Sequence, residues 1–489
     1  MMMSKTRYTI LLVFLGALMA LSSVHTLTSI NQDIGRHLRL GEIITTTKAV
    51  PDTNLFSYTH PDEPFLNHHW LGEVFFYVLS RIDGVAGLIP IKAIILAGAF
   101  MLAVASTWRR EGAYLMGFAG LVAWGVMIER TDVRPEVFSY LFMGWFLFVL
   151  FRYPQSSLRW TLPFVQAVWV NTHITFFMGP LIYLCAAFGD GMRTFPLWRE
   201  TLHRWLPLGV VLALSLLVNP WGFAGATYPL QIMSGYGYSV LENKGPFFLL
   251  AWGYPLVTTA MVFVLAGCIV LYGFITGSRM RQVTGPIVLA LITFIFAQIM
   301  VRNYALFALS GVAALGALAQ QHPIRLRQGF WISGALVALL GASVVSGQFF
   351  PLVGLPQQFG VHVPAGAQAS IDFIRAHELR GPIFNNFDIG SFLIWKLPEE
   401  KVFVDGRPEA YPSNFASSVY IPMQEDVVVW ERERARWNIQ MIVWSHRDLT
   451  PWSRTFLERM EKDADWKEVY RDGSTLILLP KEVARVKGL

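Results

Sequence analysis

The chain has few charged residues and almost no cysteine. Only 15% of its 489 residues are Asp, Glu, Lys or Arg, well below the roughly 25% typical of soluble globular proteins. Both cysteines, Cys185 and Cys268, stand inside apolar runs, so neither a disulfide framework nor a zinc site is predicted. The sequence also lacks a glycine-rich phosphate loop, a metalloprotease signature and a nucleophile elbow. These absences argue against chemistry on a soluble nucleotide.

Long apolar runs are what the chain has instead of charge. Hydrophobic residues make up 54% of the sequence, and they concentrate in runs such as 8–27, 85–107 and 252–275. Each run is close to the roughly 20 residues that cross the hydrocarbon core of a bilayer. Tryptophans such as Trp108 and Trp252 stand at run ends, where amphipathic rings settle at a membrane interface. The pattern predicts a multi-pass membrane protein whose substrate is delivered in the bilayer.

The arginines set the predicted topology. We predict eleven spans, at residues 8–29, 84–107, 112–128, 136–152, 158–170, 174–189, 205–219, 252–276, 284–301, 303–320 and 329–350. With the N-terminus in the cytoplasm, the inside loops collect Arg109, Arg110, Arg152, Arg159, Arg193, Arg199, Arg204, Arg279, Arg281, Arg325 and Arg327. This arrangement satisfies the positive-inside rule. It also accounts for the net charge of +6, so no nucleic-acid partner is predicted.

Two segments test this topology. The first span follows Lys5 and Arg7 and has no convincing small-residue cleavage site, so we predict an uncleaved signal anchor in a bacterial-type inner membrane. One long helix over 158–189 would move the later arginine loops outside. We therefore predict a polar outer turn at Val170–His173 between two short spans. The stretch Trp70–Ser80 is too short to span and is predicted to lie at the interface.

Two domains are predicted. Residues 1–355 form an all-α membrane domain that includes a long outer loop at 30–83, and residues 356–489 form a small extracytoplasmic α/β domain. The second domain is expected to contain helices at 367–378 and 451–463 and strands at 382–386, 401–405, 440–445, 467–470 and 474–479.

A carboxylate just beyond the first span is the candidate catalytic group. In a helix, Asp33 and His37 would share one face, because they are four residues apart. A carboxylate in that position can act as a general base if it reaches hydrogen-bond distance of an acceptor hydroxyl. A helix cap in a solvated loop is an equally good interpretation of Asp33 from residue type alone.

Three arginines stand at predicted outer ends of spans. Arg130 and Arg134 belong to the charge-dense stretch Glu129–Glu136, where the charges could also pair with one another. Arg302 lies at a span end against the positive-inside trend. An arginine at membrane level is costly and tends to have a partner. For Arg302 that partner is either a protein carboxylate or a lipid phosphate, and we favour a functional role.

Several short motifs, taken in their order, resemble a known superfamily. They are the first-loop segment 33–42 that starts at Asp33, followed by Pro51–Tyr58, His69–Val74, Trp169–His173, Asn219–Gly222 and Val404–Arg407. Over nearly its whole length the chain resembles the GT-C membrane glycosyltransferases. It is most similar to the bacterial group of dolichyl- or polyprenyl-phosphate-sugar mannosyltransferase-like proteins.

The resemblance implies a reaction and a set of residues. The donor would be a sugar on a polyprenyl phosphate, and the acceptor would be a glycan, a lipid or a protein. Asp33 would remove the acceptor's proton, and positive charge would stabilise the departing phosphate. That charge would come from Arg302, Arg134 and Arg130. Contacts to the substrate are expected from His37, Glu42, His69, Asn171 and His173.

The C-terminal domain carries two further candidate loops, with Asp388 in one and Asp405 and Arg407 in the other. Both follow predicted strands, where α/β sheets present binding loops, so they would face the acceptor. Ordinary turn chemistry is the more common explanation of such a pattern.

No metal or other cofactor is predicted. Many GT-C members place two acidic residues together in the first loop, whereas Gln32 precedes Asp33 here. His68 and His69 would point apart on a helix, which is poor spacing for a metal site. A divalent ion on Asp33, His37 or His68 stays open.

Two other kinds of function compete with the transferase. A transporter or flippase for a lipid-linked glycan would typically show paired halves and broken helices, which the sequence does not display. A non-catalytic membrane scaffold would tolerate the loss of Asp33 and Arg302.

Overall fold

The computed structural model describes residues 3–27, 33–235, 237–238, 240–254, 257–324, 328–363 and 366–489. The chain forms two compact units. The first consists of Met1–Thr26, Asp83–Thr227 and Val240–His362, and the second of Leu27–Ile82, Tyr228–Ser239 and Val363–Leu489. Most of the predicted outer loop 30–83 therefore groups with the C-terminal residues.

The regular structure of the first unit, in its described part, is almost entirely helical. Its α-helices are Lys5–Ser23, Leu88–Thr107, Met116–Met127, Glu136–Leu147, Leu162–Trp169, Met178–Thr194, Trp198–Ser215, Pro246–Ala251, Val257–Thr276, Thr284–Ile299, Tyr304–Gln321, Gly329–Val345 and Phe349–Leu352. The helix Phe223–Gly235 begins in this unit and ends in the second.

Five helical segments among the described residues are long and apolar enough to cross a membrane. They are Lys5–Ser23, Leu88–Thr107, Ile174–Thr194, Val257–Thr276 and Val301–Gln321, and Ala113–Met127, Thr284–Ile299 and Gly329–Val345 are shorter apolar helices. The total of eleven spans thus stays a prediction. Arg325 and Arg327, which contributed to the predicted topology, lie outside the described residues.

The helix Tyr304–Gln321 forms the core of the first unit. Every residue from Tyr304 to Ala319 is buried, and small side chains allow other helices to approach it closely. At Gly316, for example, a Cβ atom would lie 2.4 Å from the Thr107 hydroxyl. That hydroxyl donates to the Ala313 carbonyl at 2.7 Å. Arg302 lies just before one end of this helix, and Gln320 lies near the other end.

The predicted turn at Val170–His173 is present in the structure, and its position on the outer face stays a prediction. The helix Leu162–Trp169 ends just before it, and a 3-10 turn at Ile174–Phe177 leads into the next helix. The helix Phe223–Gly235 is a difference from the prediction, because Pro229 and the glycines in this stretch obscure its helical pattern.

The second unit combines helices with one small sheet. Its helices are Ile34–Thr47, Trp70–Asp83, Gln368–Ala376, Phe387–Lys396, Ile421–Glu425, Val427–Arg436, Pro451–Met460 and Lys481–Val486. Its strands are β1 (Ile383–Asn385), β2 (Met441–Ser445), β3 (Trp466–Arg471) and β4 (Thr475–Pro480).

The sheet has the strand order β1-β2-β4-β3, with β1 and β2 parallel and the other two pairs antiparallel. Its core includes Ile371, Phe392 and Val443, all fully buried. The strand predicted at 401–405 is wrong. Val402 instead forms an isolated bridge with Ser57, because its backbone bonds are made with the first-loop segment: its N–H donates to the Phe56 carbonyl at 3.0 Å.

Two glycines let the helix Ile34–Thr47 pack closely against its neighbours. A Cβ atom at Gly35 would lie 2.2 Å from the Ser391 carbonyl oxygen, and one at Gly41 would lie 2.2 Å from that of Glu73. Real Cβ atoms do not approach so closely, so only glycine fits at either position. These contacts fix the helix that begins immediately after Asp33.

Candidate active site

Asp33 keeps a partly exposed carboxylate at the start of its helix. It holds the N-cap position of Ile34–Thr47, but its side chain makes no capping hydrogen bond. The side chain is 28% exposed, and Arg36 Nε donates to Oδ1 at 3.3 Å. The structure therefore does not favour the helix-cap interpretation, and it leaves Asp33 accessible to a ligand.

The loop at Asp405–Arg407 lies directly against Asp33. A Cβ atom at Gly406 would come within 2.6 Å of Asp33 Oδ1, so a side chain here would displace the carboxylate. The sequence placed Asp33 and this loop in separate domains, whereas both belong to the second unit. The Val404–Arg407 motif thus helps to form the surroundings of the candidate base.

Near Asp33, Glu73 is the centre of a buried hydrogen-bond network. Glu73 was not among the predicted site residues. His37 Nδ1 lies 2.9 Å from Glu73 Oε1, and Asn67 Nδ2 donates to Oε2 at 2.7 Å. Arg36 Nη1 is 4.0 Å from the same carboxylate. Burial raises the pKa of Glu73 to about 7, against the opposing effect of Arg36. Predicted as a substrate contact, His37 is itself buried and paired here.

His69 lies beside this network, and Glu42 does not. The His69 ring stands edge-on to that of His37, with centroids 5.6 Å apart, and 3.9 Å from that of His68. Glu42 pairs instead with Arg39 at 2.6 Å and is 40% exposed. Nine residues of helix rotate Glu42 about half a circle away from Asp33. The two carboxylates therefore point to different sides.

Asp405 and Arg407 form a fully buried ion pair. Arg407 Nε and Nη2 donate to the two carboxylate oxygens of Asp405 at 2.8 and 2.7 Å. Nη2 also donates to the Asn54 side-chain oxygen at 2.8 Å, and the guanidinium lies 4.6 Å from the Phe65 ring. This geometry holds the Pro51–Tyr58 motif in place. It favours a structural role over direct contact with an acceptor.

Asp388 is another carboxylate with a raised pKa. It stands in the first turn of Phe387–Lys396. Burial, together with the negative charges of Asp448 and Asp33, raises its pKa to about 7. Asn386 Nδ2 donates to Asp448 Oδ2 at 3.1 Å and fixes that neighbour. Asp388 thus contributes to the electrostatic surroundings of Asp33.

In the first unit, a single carboxylate holds two of the predicted arginines. Arg130 Nη1 and Arg134 Nη1 donate to the two oxygens of Glu242 at 2.9 and 2.7 Å. Burial alone would raise the pKa of Glu242, but these guanidiniums and Arg302 hold it well below its usual range. Glu242 lies more than 100 residues from either partner, and no motif marks it in the sequence.

Arg302 is less fully paired than the other two arginines. Its Nη1 donates to the side-chain oxygen of Asn243 at 3.0 Å. Among the described residues no carboxylate lies within 4.0 Å of it, whereas Arg130 and Arg134 both meet that limit with Glu242. Arg302 is therefore the cation of this cluster with charge still available to a ligand.

Asn171 and His173 join helices of the first unit. Asn171 Nδ2 donates to the Val218 carbonyl at 2.6 Å, beyond the end of another helix. The Ser139 hydroxyl lies 2.9 Å from His173 Nδ1, and the backbone N–H of Thr175 donates to that same nitrogen. Both side chains are buried. This placement favours interhelical packing, as at an ordinary polar span end, over substrate contact.

The described residues contain no group of three His, Cys, Asp or Glu side chains arranged to hold a metal ion. Arg36 lies beside Asp33, and the negative charges of Asp33 and Asp448 both act on Asp388. A divalent ion on Asp33, His37 or His68 therefore stays an open prediction.

No protein-family model matches the chain, and no curated protein does so either. Solved structures do match. One is the archaeal oligosaccharyltransferase AglB from Archaeoglobus fulgidus in complex with an inhibitory peptide and a dolichol-phosphate. It is 13% identical, with a TM-score of 0.55 over 96% of this chain and 74% of its own. Another is ArnT from Cupriavidus metallidurans bound to undecaprenyl phosphate. It is 14% identical, with a TM-score of 0.53 over 97% of this chain and 98% of its own.

At these identities the likeness establishes the fold. The predicted GT-C resemblance is confirmed at that level. With its apolar helices, the chain is a multi-pass membrane protein of GT-C fold that carries a small C-terminal sheet.

Proposed function

We propose that the chain is a glycosyltransferase that moves a sugar from a polyprenyl-phosphate donor to an acceptor hydroxyl on the outer face of the inner membrane. The observation that carries this proposal is the incompletely paired guanidinium of Arg302 at the end of an apolar helix. A cation in that position lies where lipid headgroups lie, and it is costly unless it has a partner. ArnT, with the same fold, was solved with undecaprenyl phosphate bound.

In this proposal the cluster formed by Arg130, Arg134 and Arg302 binds the phosphate that leaves the sugar. A phosphate is a good leaving group without protonation, so it needs positive charge rather than a general acid. Arg302 would contact the phosphate directly. Arg130 and Arg134, held by Glu242, would add to the local positive potential without changing position.

Asp33 would act as the general base. The acceptor oxygen forms a bond to the anomeric carbon as its proton passes to Asp33, and the bond from that carbon to the lipid phosphate oxygen breaks. Partial exposure leaves the carboxylate reachable, and Arg36 Nε holds its Oδ1 at 3.3 Å. A glycan, a lipid or a protein could supply the hydroxyl.

The orientation of the chain in the membrane is part of the same proposal. The N-terminus would lie in the cytoplasm and the second unit outside, because the arginine-rich loops then face inward. A cysteine introduced at the exposed position Glu482 (Glu482→Cys) and labelled in intact cells would test this orientation. Labelling by a membrane-impermeant reagent is expected, and protection until the membrane is opened would contradict it.

The test of function is sugar transfer, or donor hydrolysis, from a panel of polyprenyl-phosphate sugars with purified protein in lipid. Asp33→Asn should lower kcat by about 100-fold or more, as expected for loss of a general base. Glu42→Gln is the matched control, because it neutralises a carboxylate on the same helix that points away from Asp33. Its kcat should stay close to that of the wild type.

Arg302→Ala should weaken donor binding and lower kcat, and Arg302→Lys should recover part of both by restoring the charge. Turnover that survives Asp33→Asn would keep the enzyme and eliminate Asp33 as its base. Donor binding without turnover, together with movement of the labelled lipid between leaflets, would favour a flippase. Neither binding nor turnover across the panel would favour a scaffold.

A further inference from the structure

The first unit contains a cavity that the proposed reaction does not use. Its volume is about 260 Å³, far above the roughly 10–15 Å³ that one water molecule requires on the same measure. Polar side chains line it together with small residues that leave the space open. Those used below are Arg109, Asp190, Arg193, Gln282, Gly285 and Gln320.

The cavity lies at the opposite helix ends from the arginine cluster. Gly285 is at the start of Thr284–Ile299 and Gln320 is near the end of Tyr304–Gln321, whereas Arg302 stands in the turn that joins these two helices. Sixteen helical residues extend about 24 Å. The cavity is therefore a separate site within the same unit, on the side where the sequence predicts the cytoplasm.

The one carboxylate of the cavity is already neutralised. Asp190 accepts from Arg193 Nη2 at 2.8 Å, from Arg204 Nη1 at 3.0 Å and from Trp205 Nε1 at 2.9 Å. Two guanidiniums share a single negative charge, so positive charge is in excess around Asp190.

Arg109 adds a cation without a counter-ion. Its Nη2 donates to the Arg152 backbone carbonyl at 3.3 Å, and among the described residues no carboxylate lies within ion-pair distance. Burial, reinforced by the nearby positive charge of Arg152, lowers the pKa of Arg109. A half-buried cation next to another cation is stabilised by an anion.

Further donors converge on the same space. The side-chain nitrogen of Gln320 is buried and has no hydrogen-bond partner within the described structure. Gln282 and Gly285 flank the N-terminus of Thr284–Ile299, where the first backbone N–H groups lack intrahelical partners and the helix dipole favours negative charge. The cavity thus combines a guanidinium, a side-chain amide and a helix N-terminus, all of which suit an acceptor-rich anion.

We propose that this cavity binds a phosphate group, supplied by an anionic membrane lipid or by a small soluble phosphate. A phosphate offers oxygens in several directions and so can meet donors that approach from different helices. Its position at helix ends is level with lipid headgroups, which makes both sources accessible.

The experiment uses the full chain in phosphatidylcholine nanodiscs. Thermal unfolding is followed with dioleoyl phosphatidic acid added to the nanodisc in one arm and with inorganic phosphate added to the buffer in the other. Stabilisation by the lipid alone identifies a lipid headgroup as the ligand, and stabilisation in both arms identifies free phosphate as sufficient. No stabilisation in either arm overturns the proposal.

Two variants test whether the stabilisation by phosphate arises at this cavity. Arg109→Gln removes the unpaired cation, and Gln282→Glu adds a negative charge at an exposed lining position that a fold tolerates easily. Each should weaken phosphate binding by about tenfold, as expected for one charge-assisted contact. Arg159→Gln is the control, since it removes a cation of the same predicted face that lies over Trp160, outside the cavity lining. Equal effects of all three variants would show general surface electrostatics and contradict a site.

Discussion

Glu73→Gln should remove a pH dependence of stability that the wild-type chain carries. Burial raises the pKa of Glu73 from 4.5 to about 7. Between these two pH values the folded chain holds a proton that the unfolded chain has released. The free energy of unfolding is therefore highest at low pH and falls as pH rises through 7. The full difference between the pKa values of the unfolded and folded states corresponds to about 3 kcal/mol in the free energy of unfolding.

The effect is large enough to measure as a melting temperature. For a unit of about 150–250 residues, 1 kcal/mol changes Tm by roughly 2–4 °C. About 2.5 kcal/mol of the effect falls between pH 5 and pH 8, so this group should lower the Tm by about 5–10 °C over that range. Glutamine resembles the protonated acid and does not titrate. Unfolding would be followed by tryptophan fluorescence in nanodiscs, and Glu73→Gln should show a smaller fall in Tm than the wild type by that amount.

The control is Glu42→Gln, which removes an exposed carboxylate paired with Arg39 and should leave the fall in Tm unchanged. An equal fall in Tm for Glu73→Gln and the wild type between pH 5 and pH 8 would refute a raised pKa for Glu73. That result would mean that Arg36 and His37 keep Glu73 ionised despite its burial.

Three further substitutions should alter stability or donor binding, because each removes a charged group described above. Asp388→Asn should also reduce the fall in Tm between pH 5 and pH 8, because burial and neighbouring carboxylates raise the pKa of Asp388 to about 7. Arg407→Met should cost about 3–5 kcal/mol by leaving Asp405 buried and unpaired, measured as a loss of Tm that Asp405→Leu in the same chain largely restores. Glu242→Gln should lower Tm and raise the KM for donor more than it changes kcat, because Arg130 loses the carboxylate that orients it.

Local features of the fold were predictable from the sequence. The long apolar helices, the break at Val170–His173 and four of the five strands follow from hydrophobic period, turn residues and run length. The fifth predicted strand failed for a tertiary reason. Val402 has the alternating neighbours of a strand, but its backbone bonds go to a loop residue, Phe56, that lies more than 300 positions earlier.

The residues that pair with the candidate site residues were harder to predict from the sequence. The sequence selected Asp33, Arg130 and Arg302 by type and position, but it could not pair them. Glu73 belongs to the His69–Val74 motif but was not selected as a site residue, and Glu242 stands outside every motif; both meet their partners only through the fold. One signal was present: an arginine at membrane level needs a partner, so a search for carboxylates in the other predicted outer loops would have included Glu242.

The extent to which each arginine is paired separates the structural cations from the functional candidates. Arg407 has two bonds to Asp405, one to Asn54 and aromatic rings around it, so a substrate could reach it only by breaking these contacts. Arg302 has a neutral amide as its partner, and Arg109 has a backbone carbonyl. A charge that the protein itself leaves without a counter-ion among the described residues gains most from an incoming anion. On this reasoning Arg302 and Arg109 mark two phosphate sites at opposite helix ends, and the Asp405–Arg407 pair belongs to the framework.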